Sequence, residues 1–184
     1  MLTNARLIPW MRSNISPLGW IVELTGGEPA LYNGIDELVT ELTRLGYHGL
    51  IKTNGLLPIK KTDGFLRVAA FHQLDNPPKF FDRILIIDKL QRDEKEAFCK
   101  AAGWDYRVIG LDNENPDGAR HGFHRFAFMD PHGHPTPCKA APVRWEPWPD
   151  KYALEYTPVK RGKACGHCKA AIDAWRFLPE EWKK

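Results

Sequence analysis

Between residues 20 and 111 short β-branched runs alternate with glycine-punctuated helical patterns, and nothing else in the chain restricts the fold as strongly. Residues 20–25 (WIVELT) are apolar and β-branched and run into Gly26-Gly27, the pattern of a buried strand. Ile35, Leu38, Val39, Leu42 and Leu45 then recur at helical spacing. Asn33 is expected to cap that helix, Asp36 and Glu37 suit its first turn, and Gly46 suits its C-terminal end. Residues 48–52 (HGLIK) predict a second strand, ending at Thr53-Asn54-Gly55. Three more strands are expected at 65–71 (FLRVAAF), 83–88 (RILIID) and 106–111 (YRVIGL). A helix over 92–102 should bury Ala97, Phe98 and Ala101 and close at Gly103. Strands alternating with helices make parallel βα units, which right-handed crossovers wind into an open sheet or part of a barrel. The expected class is α/β.

The pattern breaks after Asn115-Pro116-Asp117-Gly118. Nine of the 15 prolines and four of the seven tryptophans lie beyond Glu114, among short strand-like runs and a helical pattern over 169–178. Two domains are therefore expected, residues 1–115 and residues 116–184. A unit as short and proline-rich as the second has little core, and a bound metal would account for its order.

Composition removes several classes. Hydrophobic residues at 43% and charged residues at 27% are those of a globular protein, not a disordered one. No apolar run reaches the roughly 18 residues needed to cross a membrane, and the first twenty residues lack the layout of a secretory signal. The expected location is the cytoplasm. Residues 1–115 carry 14 basic and 15 acidic side chains against 12 and 8 in residues 116–184, too small a bias to argue for nucleic acid. In a reducing compartment the four cysteines are metal ligands or inert thiols rather than disulfides. Cys99, in the middle of a helical pattern beside Phe98, reads as a buried, inert thiol.

Two constellations carry chemistry. In the first, Gly26 and Gly27 directly follow a buried strand, where backbone can approach a ligand closely. Glu28 beside them, at the C-terminal end of a parallel strand, stands where such folds collect ligands and can accept hydrogen bonds from an ammonium. Taken singly, Gly-Gly-Glu-Pro and Thr-Asn-Gly are also ordinary turns. Together, strand, Gly-Gly-Glu-Pro, amphipathic helix, strand and Thr-Asn-Gly resemble in order and spacing the S-adenosylmethionine (SAM)-binding half of a radical SAM enzyme. The resemblance covers residues 20–58. It implies a partial (β/α) barrel of radical SAM type, with Gly26, Gly27 and Glu28 at the amino group of the methionine moiety and Thr53 and Asn54 at the end of the next barrel strand.

One departure is severe. The family's radical chemistry needs CxxxCxxC upstream of the Gly-Gly-Glu strand to hold a [4Fe–4S] cluster, since thiolates are the ligands such clusters require. No cysteine precedes Cys99 here. The resemblance therefore implies a diverged member, or a fragment whose cluster motif is supplied by a separate polypeptide. Its substrate would be a peptide or a small molecule.

In the second constellation, Cys165-Gly166-His167-Cys168 is a CxxC knuckle whose spacing lets two sulfurs grip one ion, and Cys138 with His132 or His134 supplies a second half-site. A redox dithiol or two unpaired thiols is the bland alternative. Residues 129–138 (MDPHGHPTPC) resemble the hairpin that opens SPASM or twitch extensions of radical SAM enzymes, with Gly133 and Cys138 in its Gly-x4-Cys pattern. That resemblance implies an auxiliary [4Fe–4S] cluster on Cys138, Cys165 and Cys168. The family's further cysteine upstream of the glycine is absent, so His121, His124 or an exogenous ligand would fill its place. Zinc stays open, because three cysteines with His134 satisfy a tetrahedral ion. Trp145, Trp148 and Trp182, set among prolines and basic residues, read as cover for a small core, with base stacking in a zinc-knuckle nucleic-acid binder as the other use. His72 reads as a strand-end hydrogen-bonding group, with a general base as the other use.

Overall fold

The computed structural model describes residues 3–14, 17, 21–25, 27–87, 90–108, 128–129, 135–136 and 178–183. The chain divides into two compact units: residues 16–111 with 173–184, and residues 1–15 with 112–172.

In the first unit five strands form one sheet in the order β1-β2-β3-β4-β5, every neighbouring pair parallel. The strands are β1 (Ile21–Leu24), β2 (His48–Thr53), β3 (Phe65–Ala70), β4 (Arg83–Ile86) and β5 (Tyr106–Val108); four lie inside runs the sequence predicts, and β2 runs one residue past its own, to Thr53. The α/β class therefore stands, and the sheet is of the kind a partial β/α fold contains. Two of the four crossovers carry helices, α2 (Ile35–Arg44) and α3 (Arg92–Ala101). The other two, residues 54–64 and 71–82, hold no helix; Gly55, Pro58 and Gly64 interrupt the first and Pro77-Pro78 the second.

Helix α2 buries Ile35, Leu38, Val39 and Leu42 as the periodicity requires. Its exit is a Schellman turn: Gly46 at φ +85 donates its N–H to Thr43 O at 2.9 Å, and Tyr47 donates to Leu42 O at 3.0 Å. Its entry differs from expectation. Gly34, not Asn33, is the cap residue, and no side chain bonds the first turn. A 3₁₀ turn at Pro29–Leu31 delivers the chain there, and Ile35 N–H already donates to Tyr32 O at 3.0 Å.

Helix α3 also corrects the sequence reading. Its buried positions are Lys95 and Cys99, one helical turn apart, whereas Ala97 and Ala101 are exposed and Phe98 is 36% exposed. Small Cys99 faces the sheet core of Ala69, Phe71, Ile84 and Ile86. The larger Phe98 ring lies at the margin, edge-on to Phe71 at 5.6 Å and against Trp104 at 5.2 Å. Cys99 is fully buried, and burial followed by the nearby Glu96 charge pushes its thiol up to about 11. It is the inert thiol its surroundings predict.

The C-terminal stretch returns to this unit. Leu178 is buried, and Trp182, on the 3₁₀ turn Glu180–Lys183, stacks on His48 at a centroid distance of 4.7 Å. Trp182 thus packs on the ring that opens β2 and not, as expected, within a core of residues 116–184.

In the second unit α1 spans Asn4–Asn14, and two short strands, β6 (Phe128–Met129) and β7 (Pro135–Thr136), pair antiparallel. The helical pattern at 169–177 lies outside the described residues. Among the described residues no helix is long and apolar enough to cross a membrane.

Candidate functional site at the ends of the first two strands

Parallel pairing aligns Leu24 of β1 with Ile51 of β2, so both chains leave the sheet at the same end. The Gly27-Glu28-Pro29 loop and the Thr53-Asn54-Gly55 turn consequently meet, although 25 residues separate Glu28 from Thr53. Glu28 Oε1 accepts the Thr53 hydroxyl at 2.5 Å and the Ala30 N–H at 3.0 Å. Glu28 Oε2 accepts the Asn54 N–H at 2.7 Å. The same carboxylate thus caps the 3₁₀ turn at Pro29–Leu31 and clasps the end of β2. A carboxylate offers about four acceptor positions. Among the described residues three are engaged, and the remaining one belongs to Oε2.

The Thr-Asn-Gly turn is built tightly. Thr53 Oγ1 accepts the Gly55 N–H at 3.0 Å, and Asn54 Oδ1 accepts the Leu56 N–H at 2.9 Å, an Asx turn. Gly55 sits at φ +70, where a Cβ would lie 2.8 Å from Ala69 and from Pro78. Only glycine satisfies both the torsion and the space. Its carbonyl accepts the N–H groups of Lys79 and Phe80 at 2.8 and 2.9 Å, tying the turn to the β3–β4 connection. Gly27 differs: it is exposed, and a Cβ there would meet nothing within 4 Å. The loop is therefore open on the Gly27 side.

Of the residues singled out in the sequence, Gly27, Glu28, Thr53 and Asn54 converge on this loop pair. Gly26 lies outside the described residues, as do Cys138, Cys165, Cys168 and His134. Among the described residues no group of three or more His, Cys, Asp or Glu side chains is placed to hold a metal. His72 is exposed beyond the end of β3.

Three polar features escaped the sequence reading. Lys52 Nζ lies 2.9 Å from Glu23 Oε1 across β1 and β2. Each is a single charge within an otherwise apolar strand, and their opposite signs on adjacent predicted strands were the available signal. Asp82 holds Arg67 through two parallel bonds of 3.0 Å and also accepts the Arg67 N–H at 2.9 Å. Burial raises the Asp82 carboxyl, but the Arg67 bonds, the Arg67 charge and Lys61 outweigh it, so its pKa lies below the usual carboxylate value. Lys95 is fully buried and donates to Leu90 O at 3.0 Å, steadying the turn in which Gln91 adopts φ +53.

No family model matches the chain, and no curated protein matches it. Among solved structures it is similar to the crystal structure of QueE from Escherichia coli, at 14% sequence identity and a TM-score of 0.41, over 58% of this chain and 63% of that one. The chain thus spans less than two thirds of that protein's length.

Proposed function

We propose that the chain is a radical SAM family protein, a diverged member or a fragment of a radical-generating enzyme, that works in the cytoplasm. S-adenosylmethionine would bind at the C-terminal ends of β1 and β2, and residues 116–184 would form a SPASM- or twitch-like extension with a [4Fe–4S] cluster. The observation that supports this reading best is the meeting of Glu28 with Thr53 and Asn54. Two motifs that are each ordinary turns become one site at the end of a parallel sheet where ligands gather.

The donor set fits the methionine end of that cofactor. Glu28 Oε2 retains an acceptor position for an ammonium, and the open side of Gly27 admits a ligand against backbone. Bound there beside a reduced cluster, S-adenosylmethionine would supply radical chemistry for hydrogen abstraction from a substrate. The chain's own part here is to hold the amino-acid end: Thr53 and Asn54 orient the Glu28 carboxylate, whose Oε2 would accept from the ligand ammonium. The cluster that cleaves the cofactor does not fit the described residues, since Cys99 is buried with its thiol pushed up to about 11. A separate polypeptide would supply that motif, and the substrate would be a peptide or small molecule. Cys138, Cys165 and Cys168, with His134 or an exogenous ligand, would hold the auxiliary cluster.

The second reading is a non-catalytic metal-binding module, with zinc on three cysteines and His134, that binds a partner or nucleic acid. The CxxC pair Cys165 and Cys168, with Cys138 and His134 in the same third of the sequence, supports it. Calorimetry of the full chain with S-adenosylmethionine tests the first reading. Binding that weakens about tenfold in Glu28→Gln, a lost charge-assisted bond, supports it; equal affinities remove Glu28 from the ligand site. Iron, sulfide and zinc counted after anaerobic purification and reconstitution separate the metals: about four irons support the cluster, and stoichiometric zinc supports the module.

A further inference from the structure

The sheet has one face packed on α3, through Ala69, Phe71, Ile84 and Ile86 against Cys99. Strand alternation and the parallel register put Glu23, Leu50, Lys52, Val68 and Leu85 on the opposite face. Leu50, Val68 and Leu85 are each 1% exposed, so the Glu23–Lys52 pair is set among apolar side chains. The two charged side chains keep 15% and 19% of their surface accessible. Among the described residues neither has another polar partner, and the one sealed side-chain atom without a partner is His48 Nδ1. Lys52 therefore presents unspent N–H donors and Glu23 unspent acceptor positions, side by side and reachable.

We propose that Glu23 and Lys52 form a binding site for the edge of a neutral cis-amide or lactam, its carbonyl accepting from Lys52 and its N–H donating to Glu23. A pair with no net charge has little to offer a simple anion or cation. A carboxylate on a spare Lys52 N–H would stand beside the Glu23 carboxylate, and an ammonium on Glu23 beside the Lys52 ammonium. Either arrangement brings two like charges together among Leu50 and Val68, which is costly in a partly buried site. A lactam edge adds one donor and one acceptor in the same plane and leaves the pair intact. Lys52 precedes Thr53 on β2, and strand alternation sets the two side chains on opposite faces of the sheet. The inference does not depend on what Glu28 binds.

The test uses 2-pyrrolidinone, acetate and methylammonium as probes, titrated into the full chain with isotope-labelled lysine and glutamate side chains. A fragment this small binds in the millimolar range at the efficiencies small ligands reach. Saturable shifts of the Lys52 and Glu23 resonances with 2-pyrrolidinone alone, weakened about tenfold in both Glu23→Gln and Lys52→Met, are expected. Equal binding of acetate or methylammonium would overturn the assignment, as would the lack of any saturable shift. Retained pyrrolidinone binding in folded Glu23→Gln and Lys52→Met would also overturn it. An unchanged Ala30 amide shift in either variant, the N–H that Glu28 Oε1 holds, shows that the Glu28 loop is intact, so failure here is separable from failure at Glu28.

Discussion

Replacing Glu28 by alanine removes one carboxylate and strands three donors: the Ala30 and Asn54 N–H groups and the Thr53 hydroxyl, now held at 3.0, 2.7 and 2.5 Å. A hydrogen bond to a charged group contributes about 1.5–3 kcal/mol net. The loop is half-buried, water re-solvates part of what is exposed, and the lower figure applies, so three bonds come to about 4.5 kcal/mol. In a chain of this length each kcal/mol moves Tm by about 2–4 °C, which predicts a fall of about 9–18 °C. Glutamine does not rescue it. Its carbonyl oxygen can keep Ala30 and Thr53, but its NH₂ then faces the Asn54 N–H donor to donor. Thermal unfolding followed by circular dichroism measures both variants, and Thr53→Val completes a double-mutant cycle with an expected coupling of about 1–3 kcal/mol. A fall of less than about 3 °C in Glu28→Ala would refute the reasoning. It would mean that the carboxylate spends its time in water and that the two loops are joined by something else.

Leu42, 0% exposed on the buried stripe of α2, should cost about 2–5 kcal/mol on replacement by alanine, read by urea unfolding. Gly55→Ala should destabilise by more than an ordinary surface change, because φ +70 and the 2.8 Å approaches of Ala69 and Pro78 both resist a Cβ. Asp82 has a lowered pKa, so its stabilising share is complete above its unfolded value near 3.9 and is lost as pH falls through the lower folded value. Asp82→Asn should therefore flatten the acid limb of stability against pH. Cys99, pushed up to about 11, stays a thiol at neutral pH. Mass spectrometry after iodoacetamide treatment should find Cys99 unmodified in the native protein and alkylated in urea.

The five strands were legible because each is a short β-branched run bounded by glycine, proline or polar turns, and parallel burial leaves such runs nearly continuous. Helix α2 was legible because its amphipathic stripe survives in the fold. The entry to α2 was not: capping chemistry pointed to Asn33, while the preceding 3₁₀ turn shifted the start by one residue to Gly34. The buried side of α3 was missed because apolarity alone ranks Phe98 above Lys95. The geometry instead turns Lys95 inward, where Leu90 O satisfies its ammonium, and leaves the large ring at the edge. The Glu28–Thr53–Asn54 clasp was half legible. Its members stood out by type, but nothing along the chain states that a carboxylate will spend three of its acceptor positions on its own protein. The Glu23–Lys52 pair was hidden for a related reason, since register across strands, not position along them, brings it together.

Strictly sequential strand order has a consequence for synthesis. Each strand pairs with the one made just before it, so no early strand must wait, exposed, for a partner encoded far downstream. Closing short loops costs little chain entropy, and contacts between near neighbours in sequence form quickly. The sheet can grow by accretion as the polypeptide leaves the ribosome, β1 with β2 first and β5 last. At every stage the exposed ladders are the growing edge and the outer edge of β1, and the α3 region, with Phe98 and Trp104 over Phe71, is added only when that growth is nearly complete.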